Sequence, residues 1–522
     1  MLYFVARRWY NKRVQENADS DVVDNIDSEN AVTGGERAEE SETLAPADVA
    51  VPLPVDADSD DADSVSEPEK TAEKKPALFT AKMLWALILP LVVEQLLAVT
   101  IGMADTLMVT SVGTDIENTA AVSAISLVDS VNLLLIQVFS ALATGGAVVA
   151  SQYLGHGDSD KACRAAKQLL YVMLAASVII AAVVLIFNRG ILGVLFGNID
   201  KLTADNAYTY FWLSALSYPF LAIYNGSAAL FRSMRNSKIS MYTSIAMNVI
   251  NFGGNAALIY GAKIGVMGAG IASLVSRFVG GALLFILLFN KKRAIHLDNF
   301  KPAFDKNIVK KIFAIGVPTG IENGLFQGGK LVVASLISTM GEAAVAANAI
   351  SNTLCSFANV PGMAAGLGAV TVIGQCCGAG DTDGAKKYSL KLTGAVYIAN
   401  IFVCLVLVFA APSLFSLFDL LPSAITDANL IVITFCPTMA AIWTPAFFLP
   451  NALRAAGDVK YTMSVSVVSM LVVRIGAAYL LAYTTGLGVL AVWIAMYLDW
   501  AVRAVCFVAR FVTGGWKKIK LI

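Results

Sequence analysis

From Met83 onward the chain alternates apolar runs with short polar breaks. Each run is about 20 residues or longer, enough to cross a ~30 Å hydrocarbon core as a helix. The pattern predicts twelve helices, over residues 82–110, 120–150, 162–187, 206–231, 239–262, 266–290, 307–338, 343–374, 386–411, 427–452, 460–483 and 487–512. The breaks alternate in charge. The second carries Lys161, Arg164 and Lys167, the fourth Arg232, Arg235 and Lys238, and the eighth Lys386, Lys387 and Lys391. The tenth has Arg454 and Lys460, and the sixth, residues 291–311, is the most basic. Odd-numbered breaks are poor in Lys and Arg and often carry acid, such as Asp115, Glu342 and Asp427. The positive-inside rule then places both termini in the cytoplasm, and the plasma membrane is the expected location.

The second half of the pattern repeats the first. ALILPLVVEQ (86–95) and FAIGVPTGIEN (313–323) both set a proline four residues before a glutamate, Pro90 with Glu94 and Pro318 with Glu322. VVASQYLGHGDSD (148–160) matches TVIGQCCGAGDTD (371–383), pairing Gln152 with Gln375. Arg232 and Lys238 align with Arg454 and Lys460, and IGVMGAGIA (264–272) with LGVLAVWIA (487–495). Six spans per unit give the halves one orientation, the parallel-repeat arrangement of transporters that rock two bundles about a shared cleft. The expected fold is all-α and polytopic, with two pseudo-symmetric six-helix bundles. The expected division is a disordered acidic cytoplasmic tail over 1–78, bundles over 79–290 and 312–522, and a linker over 291–311.

Composition sharpens this division. Charged residues make up 15% of the 522 residues and hydrophobic ones 57%. Residues 14–73 hold 19 acids against Arg37 and Lys70, so an acidic tail precedes a basic, apolar body. That tail cannot bury enough apolar surface to offset its ordering entropy. The seven cysteines read as small apolar residues, and His156 and His296 fall in charged loops, so no metal site is expected. GLFQGGK (324–330) has phosphate-loop spacing but lacks the Ser or Thr and lies in an apolar helix. No catalytic constellation appears, and no enzyme activity, cofactor, nucleic acid or obligate protein partner is expected.

An ionisable group inside a span costs at least ~2.5–3.5 kcal/mol near the bilayer centre, so each is a functional candidate. Glu94, Asp105, Asp129, Arg277, Glu322, Lys330 and Arg474 fall within the predicted spans. Glu94 and Asp105 share one face of the first helix, about 16 Å apart. Asp129 enters from the same side, and Asn248, Asn251 and Asn255 share a face of the fifth helix. A proton or a desolvated cation fits such a cluster. The second half lacks it, because Asp105 aligns with Val333, Asp129 with Leu354, Asn251 with Val473 and Asn255 with Ala477. Pro90, Glu94, Gln95, Pro318, Glu322 and Asn323 are candidates for cleft or gating roles, and Glu322 and Lys330 for a mutual ion pair.

PLVVEQLLAVTIGMADTLMV, GGAVVASQYLGHGD and the paired halves resemble the multidrug and toxic compound extrusion (MATE) family over roughly residues 82–513. The resemblance implies a twelve-helix antiporter that exports small amphipathic or cationic compounds in exchange for H⁺ or Na⁺. By position it implies ion coupling at Asp105, Asn251 and Asn255, the last being Asn where the family has Asp. NorM-type members carry a glutamate eight residues after the seventh-helix proline and an aspartate in the tenth helix. Here the first position is Phe326 and the tenth span has no acid. The chain is therefore closer to the DinF-like side, with coupling in the N-terminal lobe. The alternatives are a lipid-linked precursor flippase of the same superfamily, which interior cations as few as Arg277, Lys330 and Arg474 disfavour, and a membrane scaffold or receptor.

Overall fold

The computed structural model describes residues 78–109, 115–197, 200–301, 303–415 and 421–522, without the side chains of 101–107, 109, 115 and 116. The expected acidic tail lies, up to residue 77, outside the described residues.

Among the described residues there are twelve long helices. In the first half they are α1 (Ala81–Val109), α2 (Asp115–Gly155), α3 (Ser159–Phe196), α4 (Lys201–Ser233), α5 (Ser237–Asn255) and α6 (Gly265–Leu287). In the second they are α7 (Lys306–Ser338), α8 (Glu342–Gly378), α9 (Thr382–Phe415), α10 (Pro422–Ala455), α11 (Val459–Thr484) and α12 (Val489–Val512). Three helices contain wide π-helical turns: Ala256–Gly261 extends α5, Met439–Phe448 lies within α10 and Ser469–Ile475 within α11.

Nine of the twelve are long and apolar enough to cross a membrane, and α4, α5 and α7 fall short of that profile. On α7 the charged residues Lys306, Lys310, Lys311, Glu322 and Lys330 are joined by Asn323, Gln327 and several glycines, which lower its hydropathy. Observed and expected boundaries agree closely. The largest difference is α3, expected to end at 187; the helix breaks at Phe187 (φ −106°, ψ 18°) and resumes to Phe196. Asn188 anchors the break by donating to the Tyr208 carbonyl at 2.9 Å.

The duplicated G-x-G-D breaks fold alike. Gly157 (φ +83°) and Gly380 (φ +70°) take the left-handed conformation that stops α2 and α8. The following aspartates cap the next helices: Asp158 accepts from the Lys161 N–H at 2.9 Å, and Asp381 from the Gly384 N–H at 2.8 Å. The hydrogen bond from the Lys161 side chain holds the Asp158 carboxyl below the usual carboxylate range.

Two apolar cores form, one mostly from the first six helices and one mostly from the last six. They exchange a few residues at the end that carries the basic breaks. Phe79 and Leu87 join the second core, and Val370 and Val459 the first. The halves meet through α2 against α7 and α8, and α1 against α8. Lipid tails are as apolar as the side chains, so such contacts depend on close packing by small residues.

Candidate functional site

The halves are sealed together at the basic end by a matched pair of crossings. A Cβ on Gly155 would lie 2.0 Å from the Gln375 carbonyl oxygen, and one on Gly378 would lie 1.9 Å from that of Gln152. The two glutamines of the repeat then cap across the seam. Gln152 donates to the Ala455 carbonyl at 2.9 Å, and Gln375 to that of Ser233 at 2.7 Å. Thr371 donates to the Arg232 carbonyl at 3.0 Å, and Lys311 to the Tyr153 hydroxyl at 3.0 Å. Arg235, held at φ +62°, donates to the Gln375 side chain at 2.7 Å. Its guanidinium stacks 4.1 Å above the Phe79 ring and donates to the Leu78 carbonyl at 3.4 Å. The Phe79 N–H donates to the Tyr388 hydroxyl on α9, which donates back to the Phe79 carbonyl at 2.9 Å. The segment Leu78–Phe79 is thus clasped by both halves.

Glu94 and Glu322 occupy equivalent buried ion pairs. Arg232 meets Glu94 at 3.3 Å, and Arg454 meets Glu322 at 2.7 Å. Both arginines were expected in polar breaks; instead each lies in the last turn of its helix, α4 or α10, and turns inward. The expected Glu322–Lys330 pair does not form. Eight residues separate them by about 12 Å along the helix, and Phe326 sits between, 5.3 Å from the Lys330 ammonium. The two pairs differ in their surroundings. Ser240 donates to the second oxygen of Glu94 at 2.9 Å, whereas Glu322 Oε2 and Arg454 Nε are buried without a hydrogen-bond partner among the described residues. Asn323 bridges the halves, donating to Gln137 at 3.1 Å, and Gln95 is half-buried. Pro90 and Pro318 lie inside α1 and α7.

The N-terminal half holds two polar networks. Asn251 donates to Ser273 at 3.1 Å and, beside it, Asn255 approaches the Asn251 oxygen at 3.5 Å. Both amides are buried, and the π-helical turn of α5 begins directly after Asn255. Asp129 belongs to the second network: Asn132 donates to it at 3.2 Å and accepts from Tyr218 at 2.7 Å. Arg277, which donates to Ser217 at 2.7 Å, lies near the Asp129 carboxyl. Asp105 is on α1, its side chain outside the described residues. The grouping of Asn251 with Asn255 was legible from their spacing; the partners of Asp129 were not.

A cavity of about 410 Å³ opens at the middle of α7, α8, α10, α11 and α12. Its walls include Phe435, Trp443, Phe447, Trp493 and Trp500. Lys330, Arg454, Arg474 and Arg503 reach it, and the last two were brought in by α11 and α12. Arg503 pairs with Asp499 at 2.8 Å, and Arg474 stands 3.9 Å from the same carboxylate. Asp499 and Arg503 were missed in the sequence, although an acid and a base four residues apart on an apolar helix is a readable sign of an interior pair. The expectation of few interior cations is corrected accordingly. The π-helical turns of α10 and α11 carry Trp443, Phe447 and Arg474 into this wall. Such turns occur frequently at functional sites.

The model of the MatE family matches residues 90–257 and, a second time, residues 318–480. The chain belongs to the MATE family. The double match coincides with the two halves of the fold. Among curated relatives, the uncharacterized transporter YisQ of Bacillus subtilis is 28% identical over 86% of this chain and 97% of its own length. The probable multidrug resistance protein NorM of Thermotoga maritima is 24% identical, over 84% and 93%. A solved MATE-family multidrug resistance transporter in an outward-facing conformation superposes with a TM-score of 0.75 at 19% identity, covering 83% of this chain and 95% of that one. This MATE protein is a multi-pass membrane transporter.

Proposed function

We propose that the chain is a secondary antiporter that exports small amphipathic compounds in exchange for H⁺ or Na⁺ by alternating access. The observation that carries this reading is the seal: two repeat-related lobes, here assigned to 79–290 and 312–522 with 291–311 as tether, pack through α1 and α2 against α7 and α8 and are closed at the basic end by a few reversible hydrogen-bonded caps. With that end in the cytoplasm of a plasma membrane, the sealed form faces outward, and release of the caps exposes the cleft inward. Asp105, Asn251, Asn255 and Asp129 are the residues assigned to ion coupling. The half-buried Asp129 carboxyl stands with amide, hydroxyl and guanidinium neighbours, so gain or loss of a proton or cation there changes the hydrogen bonds between α2, α4 and α6. Glu94, Glu322 and their arginines hold each lobe as a block.

The test is substrate efflux from proteoliposomes with pH and sodium gradients imposed separately. Asp105→Asn and Asp129→Asn are expected to reduce gradient-driven efflux at least tenfold while leaving substrate binding in place. Efflux with unchanged ion dependence in both variants overturns the coupling assignment. Efflux that needs no gradient overturns the antiport reading itself.

A further inference from the structure

We propose that the C-terminal cavity is an anion site, and that the transported compound is an organic anion with an apolar, mostly aromatic body. The inference rests on the transporter reading and deepens it.

Charge balance is the first ground. Lys330, Arg454, Arg474 and Arg503 reach the cavity, against the carboxylates of Glu322 and Asp499 that pair with them. Two positive charges are left over. Lys330 has no ion pair or hydrogen bond among the described residues; its partner is the face of Phe326. Arg474 is 7% exposed, and among the described residues its Nε and that of Arg454 have no hydrogen-bond partner, nor do the carboxylate oxygens Glu322 Oε2 and Asp499 Oδ2. Buried guanidinium donors without acceptors are costly. A carboxylate, sulfonate or phosphate supplies acceptors that match their geometry.

Phe326 is the second ground. Its ring lies 5.3 Å from Lys330, 5.5 Å from Arg474 and 5.4 Å from Arg503. A single aromatic ring offers weak attraction to each cation, so it gathers them without neutralising them. The repeat offers a third ground. By the same offsets, Phe326, Arg474, Asp499 and Arg503 correspond to Ala98, Phe252, Ser276 and Gly280. Lys330 falls opposite Gly102 in the same way, so Lys330, Arg474 and Arg503 belong to the second lobe alone, whereas Arg454 has its counterpart in Arg232. The aromatic walls and a volume of about 410 Å³ fit a compact ring system. A cationic substrate fits this lobe poorly, which narrows the expected range to its amphipathic anionic members.

The measurement is tryptophan fluorescence of the full-length protein in detergent, titrated with 2-naphthalenesulfonate or 2-naphthyltrimethylammonium. These share an apolar body and carry opposite permanent charges. The sulfonate is expected to bind at least tenfold more tightly. Lys330→Gln removes an unpaired charge and no ion pair, so the fold is not at stake. It is expected to weaken the sulfonate at least tenfold without weakening the cation, and Lys330→Arg to stay within threefold of the parent. Equal or tighter binding of the cation overturns the proposal, as does sulfonate affinity unchanged in Lys330→Gln. In liposomes, movement of the sulfonate identifies a soluble anion as cargo. Movement only of dihexanoyl phosphatidate identifies a lipid phosphate, the flippase alternative; movement of neither overturns the cargo assignment. Binding needs no gradient, so loss of ion coupling with the anion preference intact would fail only the antiport reading.

Discussion

Alanine at Gly155 and Gly378 is expected to force the lobes apart at the basic end. Each methyl would sit about 2 Å from a backbone carbonyl of the facing helix, 2.0 Å at Gly155 and 1.9 Å at Gly378. Backbone cannot rotate aside as a side chain does. Overpacking a tight contact costs ~1–3 kcal/mol, which displaces the equilibrium between sealed and open forms by roughly five- to 150-fold. Hydrogen–deuterium exchange over residues 150–158 and 373–381 should therefore rise at least fivefold in the G155A/G378A variant. Gly394→Ala, with open space around its Cβ, provides the control and should change nothing. Unaltered exchange in the double variant would mean that these crossings do not hold the seal.

The second large effect concerns the duplicated ion pairs. Glu322→Gln leaves Arg454 buried at 11% side-chain exposure with its charge uncompensated. Removing one partner of a buried pair costs ~3–5 kcal/mol, whereas replacing both by apolar groups of similar volume is often neutral. Thermal unfolding in micelles should show E322Q and E94Q destabilised by several degrees each, with E322Q/R454M recovering at least half of the loss. Ser240 retains a bond to the amide oxygen in E94Q, so that variant should be the milder of the two. Single variants that unfold like the parent would show that the pairs do not stiffen the lobes.

Helix placement and the repeat were legible because they depend on hydrophobic length and on matched motifs, which the bilayer imposes residue by residue. Gln152 and Gln375 stood out for the same reason, and the structure gives them one shared task. Direction of side chains was not legible. Arg232 and Arg454 look like loop charges because they sit one turn from polar breaks; only the packed helices show them turned toward Glu94 and Glu322. Lys330 and Glu322 share a face within about 80°, yet two turns of rise and the ring of Phe326 keep them apart. Asp499 and Arg503 disappeared into an apolar run whose mean character says only that it can span. Interior polarity of a lobe depends on which helices face one another, and α7 is distant in sequence from α11 and α12.

The clasp around Leu78 and Phe79 gives the chain upstream a mechanical lever. Arg235 reaches that point from one lobe and Tyr388 from the other, so the grip exists only while the two stand together. On the proposed alternating-access cycle, a partner that pulls residues out of this grip would work against the sealed form, and one that presses them in would prolong it. Occupancy upstream of Leu78 would then set how long the transporter dwells on each side of its cycle, with no need to touch cargo or ion.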